Sequence, residues 1–164
     1  MKALVVVTGG TFDKEYDEIR GTLSFGATHL PEMLKLGRSR LKIRVARLMM
    51  KDSLFMTAAD RRKILAACRN ASENRIVITH GTDTMAETAA VLGRGLQGKT
   101  VVLTGAMRPY RLGSSDGLFN LGSALSFAQA LPPGVYVAMN GLVFTWDDVK
   151  KDRRLGVFTR KRTK

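Results

Sequence analysis

The sequence predicts an α/β fold: a doubly wound, mainly parallel sheet with helices on both faces. Three observations predict it. Short β-branched runs alternate with longer stretches of helical spacing, which implies right-handed crossovers between parallel strands. Four of the five runs, Ala3–Val7, Arg75–Thr79, Thr100–Thr104 and Val135–Met139, are apolar almost without interruption, as strands buried on both faces must be. The fifth, Lys42–Leu48, is broken by Lys42, Arg44 and Arg47, and that half-polar pattern suits a sheet edge.

Each element follows from its residues. Ala3–Val7 runs straight into Thr8-Gly9-Gly10-Thr11 and is too short for the apolar region of a signal peptide, so it reads as the first strand. Leu30–Leu36 is a short helix. Thr57 is the expected N-cap of Ala58–Arg69, with Asp60 three residues on as its capping-box partner and Ile64, Leu65 and Cys68 as the inward stripe. A helix over Asp83–Leu92 opens on an acid, which suits the positive end of a helix. The last helix, Asp116–Leu131, carries Leu118, Leu121, Leu125 and Ala128 at helical spacing and stops before Pro132-Pro133-Gly134. One domain over residues 1–152 and a basic tail over 153–164 are expected.

A strand order of 2-1-3-4-5 would place its reversal between strands one and three, where such sheets bind ligands at their carboxyl ends. The segments leaving those strands are Thr8-Gly9-Gly10-Thr11 and Thr79-His80-Gly81-Thr82-Asp83-Thr84. They are the most hydroxyl-dense glycine-bearing turns in the chain. Topology and chemistry point to one crevice.

Bulk properties narrow the function. The 164-residue chain is 45% hydrophobic, enough for one core, and no apolar run approaches the ~20 residues of a membrane span. Cys68, the only cysteine, lies in an apolar helical stretch and reads as a structural thiol. A cytoplasmic location is the resulting expectation. The net charge is +13, and residues 150–164 alone hold eight Lys or Arg against one Asp. A second basic cluster runs through Arg38, Arg40, Lys42, Arg44 and Arg47. An RNA partner would suit such charge. No aromatic residues are interleaved for base stacking, however, so a solvated tail and a charged edge strand are the favoured reading.

The two turns suit nucleophilic chemistry. A threonine hydroxyl needs a base to take its proton, and flanking glycines let backbone N–H groups approach a developing oxyanion. Either turn alone could equally be a strand-to-helix turn with an N-cap. No GxxxxGK[ST] precedes Asp83, and Gly93, Gly95 and Gly98 follow a helix instead of a strand, which argues against phosphate-loop and dinucleotide enzymes. His29 and His80 have no carboxylate or cysteine at ligand spacing, so no metal and no cofactor is expected. His80 reads as a residue that orients its turn.

Four blocks together resemble the bacterial-type L-asparaginase family, specifically its N-terminal domain, over roughly residues 3–152. They are Thr8-Gly9-Gly10-Thr11, Thr79-His80-Gly81-Thr82-Asp83-Thr84-Met85, Thr104-Gly105-Ala106-Met107-Arg108-Pro109, and Ser115-Asp116-Gly117 with Asn120. The resemblance implies a two-step hydrolysis of asparagine to aspartate and ammonia, in which the Thr11 hydroxyl attacks the side-chain amide carbon and water cleaves the acyl-enzyme. It implies a second unit of Thr82, Asp83 and Lys151, the lysine lying in Asp147-Asp148-Val149-Lys150-Lys151. A lysine acts as a base when burial or nearby cations favour its neutral form. Lys150, Arg153 and Arg154 are such neighbours, and Asp83 is an opposing one. Tyr16 resembles the tyrosine of the family's mobile active-site loop.

The resemblance further implies that Asp83 holds the substrate amino group, that Ser53, beside Asp52, holds its α-carboxylate, and that Gly10, Gly81 and the Ala106 carbonyl line the pocket. Two departures stand out. Leu54 and Phe55 occupy places where the family usually has a polar residue and then Asp. Family members also usually carry a second, C-terminal domain whose carboxylate completes a neighbouring subunit's site, which leads to the expectation of a short type that forms a homodimer or tetramer. The alternatives are an ammonia-generating subunit of a tRNA-dependent amidotransferase and a non-catalytic amino-acid-binding protein.

Overall fold

The computed structural model describes residues 2–161. In chain order the elements are β1 (Lys2–Val7), β2 (Lys14–Asp17), β3 (Thr22–Phe25), α1 (Leu30–Leu36), β4 (Lys42–Arg47), α2 (Ala58–Asn70) and β5 (Arg75–Thr79). They continue with α3 (Met85–Gly95), β6 (Thr100–Thr104), α4 (Gly117–Ala130), β7 (Gly134–Met139), β8 (Leu142–Thr145), β9 (Lys150–Asp152) and β10 (Val157–Thr159).

The main sheet has six strands in the order β4-β1-β5-β6-β7-β8. The first five are parallel, and their order is the expected 2-1-3-4-5, with the basic strand β4 at one edge. β8 adds an antiparallel edge beside β7. Its tight turn is Asn140-Gly141, both at positive φ. That is the backbone a two-residue hairpin between right-twisted strands requires.

Helices cover both faces. On one face, Leu4, Val6, Ile76, Ile78 and Leu103 pack with Ile64 and Cys68 of α2 and with Met85, Ala89 and Leu92 of α3. On the other, Val5, Val7, Val77 and Val102 pack with Met33 of α1 and with Leu121, Ala124 and Leu125 of α4. Residues that alternate along one strand thus feed two cores. α2 begins with the expected capping box: the Thr57 hydroxyl accepts from the Asp60 amide while the Asp60 carboxylate accepts from the Thr57 amide.

Three hairpins were not expected. Besides β7–β8, β2 pairs with β3 directly after the first turn, and β9 pairs with β10. The third of these changes the reading of the C-terminal residues. Val157–Thr159 is a strand, and Phe158 joins the α3-side core at 3% exposure, so the solvated tail expected from residue 153 is instead a folded hairpin as far as β10. Residues 162–164 of that expected tail lie outside the described residues. Among the described residues no helix is long and apolar enough to cross a membrane.

Candidate active site

Glycines bring four turns into contact at the carboxyl ends of the strands. The turn after β1 is tied to β5 and to the segment after β4: the Thr8 amide and hydroxyl both donate to the Thr79 carbonyl at 3.1 and 2.7 Å, and the Gly10 amide donates to the Lys51 carbonyl at 3.1 Å. A Cβ on Gly10 would lie 2.3 Å from the Gly81 nitrogen. One on Gly81 would lie 2.6 Å from Ser53 Oγ, and one on Gly105 would lie 2.4 Å from the His80 carbonyl oxygen. These separations are too short for any side chain. Gly10, Gly81, Ser53 and the Gly105-Ala106 turn therefore close on one point, with Thr11 opening a short 3-10 turn directly after Gly10.

Lys151 reaches this point from β9. Its Nζ donates to Thr82 Oγ1 at 2.8 Å and to Asp83 Oδ1 at 2.7 Å. The lysine side chain is 10% exposed and the Asp83 side chain 36%. α3 begins at Met85, two residues later than expected, so Asp83 stands in the turn ahead of the helix and its carboxylate is free to meet the lysine. Thr84 also works outside its helix, donating its hydroxyl to the Ser53 carbonyl at 2.9 Å.

Ser53 is buried, and its Oγ has no hydrogen-bond partner among the described residues. Asp52 does not point into the same space. One of its carboxylate oxygens accepts the Leu54 amide at 3.0 Å and the other accepts Lys14 Nζ at 2.6 Å. Burial pushes its pKa up, but those two donors outweigh burial and hold it below the ordinary carboxylate value. Asp52 thus shapes the Ser53 turn. Leu54 and Phe55 beside it are exposed.

The fourth turn is fixed by the Ser115-Asp116-Gly117 block. The Asp116 carboxylate accepts the Met107 and Arg108 amides at 3.0 and 3.1 Å, and Asn120 Nδ2 donates to the Gly105 carbonyl at 3.0 Å. Ala106 is fully buried there. Tyr16 is not drawn into the cluster. It is 54% exposed on β2 and makes no side-chain hydrogen bond among the described residues.

His80 is fully buried behind the turn, and its neighbours fix its tautomer. The Gly81 carbonyl can only accept, so Nδ1, 2.7 Å away, carries the proton, and Nε2 accepts from the Thr88 hydroxyl at 2.8 Å. Burial pulls its pKa from 6.5 down to about 4. An unfolded chain takes up this proton near 6.5 while the folded one resists, so the stability is complete above 6.5 and drains away as pH falls toward 4. Chemical denaturation at stepped pH should show a loss of about 3 kcal/mol over that window, absent in His80→Gln. Equal slopes in both proteins would contradict this assignment.

His29 stays apart from these turns; its Nε2 lies 3.1 Å from Glu15 Oε1 at the base of the β2–β3 hairpin. Lys14 and Thr88 are the contributors that sequence reasoning missed, and only tertiary contact identifies them, because neither belongs to a motif. Thr84 lay within a quoted block but was given no role of its own.

Comparison with known proteins identifies the family and the fold. The family model described as Asparaginase, N-terminal, matches residues 2–158. An L-asparaginase of Thermococcus kodakarensis is 34% identical over 96% of this chain and 49% of its own length. A solved structure of the thermostable L-asparaginase of that organism superposes with a TM-score of 0.87 at 35% identity, covering 98% of this chain and 51% of that one. A structure described as a probable cytoplasmic L-asparaginase from Campylobacter jejuni gives a TM-score of 0.78 at 32% identity over 92% of this chain and 49% of that one. One subunit of the glutamyl-tRNA(Gln) amidotransferase of Methanococcus vannielii is 34% identical over 96% of this chain and 38% of its length. The chain thus spans about half the length, or less, of these relatives. Its matched motifs, the convergence of the turns that carry them and the shared fold establish that it belongs to the asparaginase family through that family's N-terminal domain.

Proposed function

We propose that the chain hydrolyses the side-chain amide of L-asparagine to L-aspartate and ammonia through a threonine acyl-enzyme. One observation carries the reading: a single lysine nitrogen, on a side chain largely withdrawn from water, bridges the Thr82 hydroxyl and the Asp83 carboxylate in a turn whose Gly81 packs directly against Gly10, the residue before Thr11. The Thr11 oxygen adds to the amide carbon, the C–N bond breaks, and the proton lost by Thr11 ends on the departing nitrogen as ammonia. Water then adds to the ester carbon, the bond from that carbon to the Thr11 oxygen breaks to release aspartate, and one of water's protons returns to the Thr11 oxygen. The Thr82 hydroxyl and the Lys151 amine form the relay for both transfers. The Ser53 hydroxyl receives the α-carboxylate and Asp83 the α-amino group, with Gly10, Gly81 and the Ala106 carbonyl lining the amide.

The test is ammonia release from asparagine, glutamine and asparagine derivatives. Asparagine should turn over fastest. One methylene is worth ~1–3 kcal/mol of discrimination, so measurable glutamine turnover is expected as well. Ligand-dependent thermal stabilisation without turnover would instead identify an amino-acid-binding protein. Sedimentation should show a dimer or tetramer, as most soluble oligomers are symmetric copies of one chain. A cytoplasmic location belongs to the same reading and is supported by the likeness to the C. jejuni protein.

The likeness to a subunit of a tRNA amidotransferase, with exposed Lys150, Arg153, Arg154, Arg160 and Lys161 on or beside β9 and β10, favours a second reading, an ammonia-generating partner of tRNA amidation. It predicts tRNA binding that weakens steeply with salt. No shift of labelled tRNA at low salt would remove it.

A further inference from the structure

The Lys14–Asp52 contact joins two parts of the site that no motif connects. Strand alternation sends Glu15 toward His29 on one face of β2 and places Lys14 and Tyr16 on the other. Lys14 is held from two sides: its Nζ donates to Asp52 Oδ2 at 2.6 Å and lies 5.7 Å from the ring centroid of Phe25, its cross-strand partner. The pair is partly withdrawn from water, with side-chain exposures of 19% and 23%. Asp52 caps the short 3-10 turn Ser53–Phe55, so its carboxylate orients the segment that carries the buried, unpartnered Ser53 Oγ. From the hairpin side, Lys14 fixes that carboxylate. Among the described residues Lys14 makes no hydrogen bond or ion pair with Thr82, Asp83 or Lys151.

We propose that Lys14 is a positioning residue for substrate binding, which sets the aim of Ser53 through Asp52 and couples the β2–β3 hairpin to the recognition turn. This rests on the amidase reading. Without Lys14, one carboxylate oxygen loses its fixed partner, the cap at Leu54 loosens and the Ser53 hydroxyl loses its aim. The Thr82–Lys151 relay stays intact. The effect therefore falls on KM and leaves kcat in place.

Lys14→Met and Asp52→Asn should each raise KM for asparagine about tenfold, the equivalent of one hydrogen bond to a charged group, with kcat within about twofold. The double variant should be no worse than either single one. Lys14→Arg, which keeps a charged donor, should restore KM to within about twofold of the parent. If Lys14 instead attracts the substrate carboxylate directly, Asp52→Asn would release it and lower KM, which overturns the proposal. So would an unchanged KM in Lys14→Met, a loss confined to kcat, or KM effects that multiply in the double variant.

Hydrogen exchange separates this proposal from the amidase reading. Should the parent chain release no ammonia from any amide, the amidase reading fails, and exchange at the Leu54 and Phe55 amides still decides the tether. Exchange about tenfold faster in Lys14→Met sustains the coupling. Unchanged exchange ends it.

Discussion

Lys151→Met is expected to cut ammonia release from asparagine by about a thousandfold or more, the usual consequence of removing a group that moves the proton. Methionine keeps the length and apolar stem of lysine but offers no donor to Thr82 or Asp83. The side chain being replaced is 10% exposed, whereas the stranded Asp83 carboxylate has 36% of its surface in water and can be hydrated. Folding should therefore survive and kcat should not. Thr82→Ala breaks the same relay from its other end, so combining it with Lys151→Met should cost little more than either alone. Thr11→Ala should match this loss and also form no acyl-enzyme on rapid quenching. Parent-like turnover in Lys151→Met or Thr11→Ala would remove the mechanism proposed for this site, and progress curves of ammonia release are sufficient to see it.

Gly10→Ala should be the most damaging single methyl group in the molecule. Gly10 has φ +85° and ψ −177°, a backbone conformation reserved almost entirely for glycine. The new Cβ would also stand 2.3 Å from the nitrogen and 2.4 Å from the Cα of Gly81, and backbone atoms cannot swing aside as a side-chain tip can. Conformational strain and collision together imply a loss of about 4 kcal/mol or more. Gly122→Ala is the control. Gly122 sits inside α4 with nothing within 4 Å of the place a Cβ would take, so alanine there should stabilise by about 0.5–1 kcal/mol. Urea denaturation of both variants measures the contrast. A Gly10→Ala protein as stable as its parent would mean that the first and third turns do not meet.

The parallel part of the sheet was legible because its signals are local. Uninterrupted apolar runs marked the strands buried on two faces, and the charges of Lys42, Arg44 and Arg47 marked the edge. The meeting of the Thr11 and Thr82 turns was also legible, since strand order places both on one side of the sheet. The hairpins were harder. β2 and β3 carry Lys14, Glu15 and Asp17 and bury little, so no apolar alternation announces them. Asn140-Gly141 was a strong turn signal that the preceding strand overshadowed, since β8 is short and its neighbour already read as a complete element. Lys14 could not have been chosen from sequence at all. Its role depends on a carboxylate 38 positions away, and nothing local distinguishes it from the other lysines of a basic chain.

The pairing of Phe158 with Lys151 across β9 and β10 has a practical result for anyone separating catalysis from cation-driven association. Trimming the chain after Asp152 would discard Arg153, Arg154, Arg160 and Lys161, but it would also strip the strand that steadies the amine and uncover the core beneath Phe158. A truncated protein that neither releases ammonia nor retains a polyanion would say nothing about which property came first. Neutralising those four cations one at a time leaves the hairpin in place, and only that route can assign the two behaviours independently.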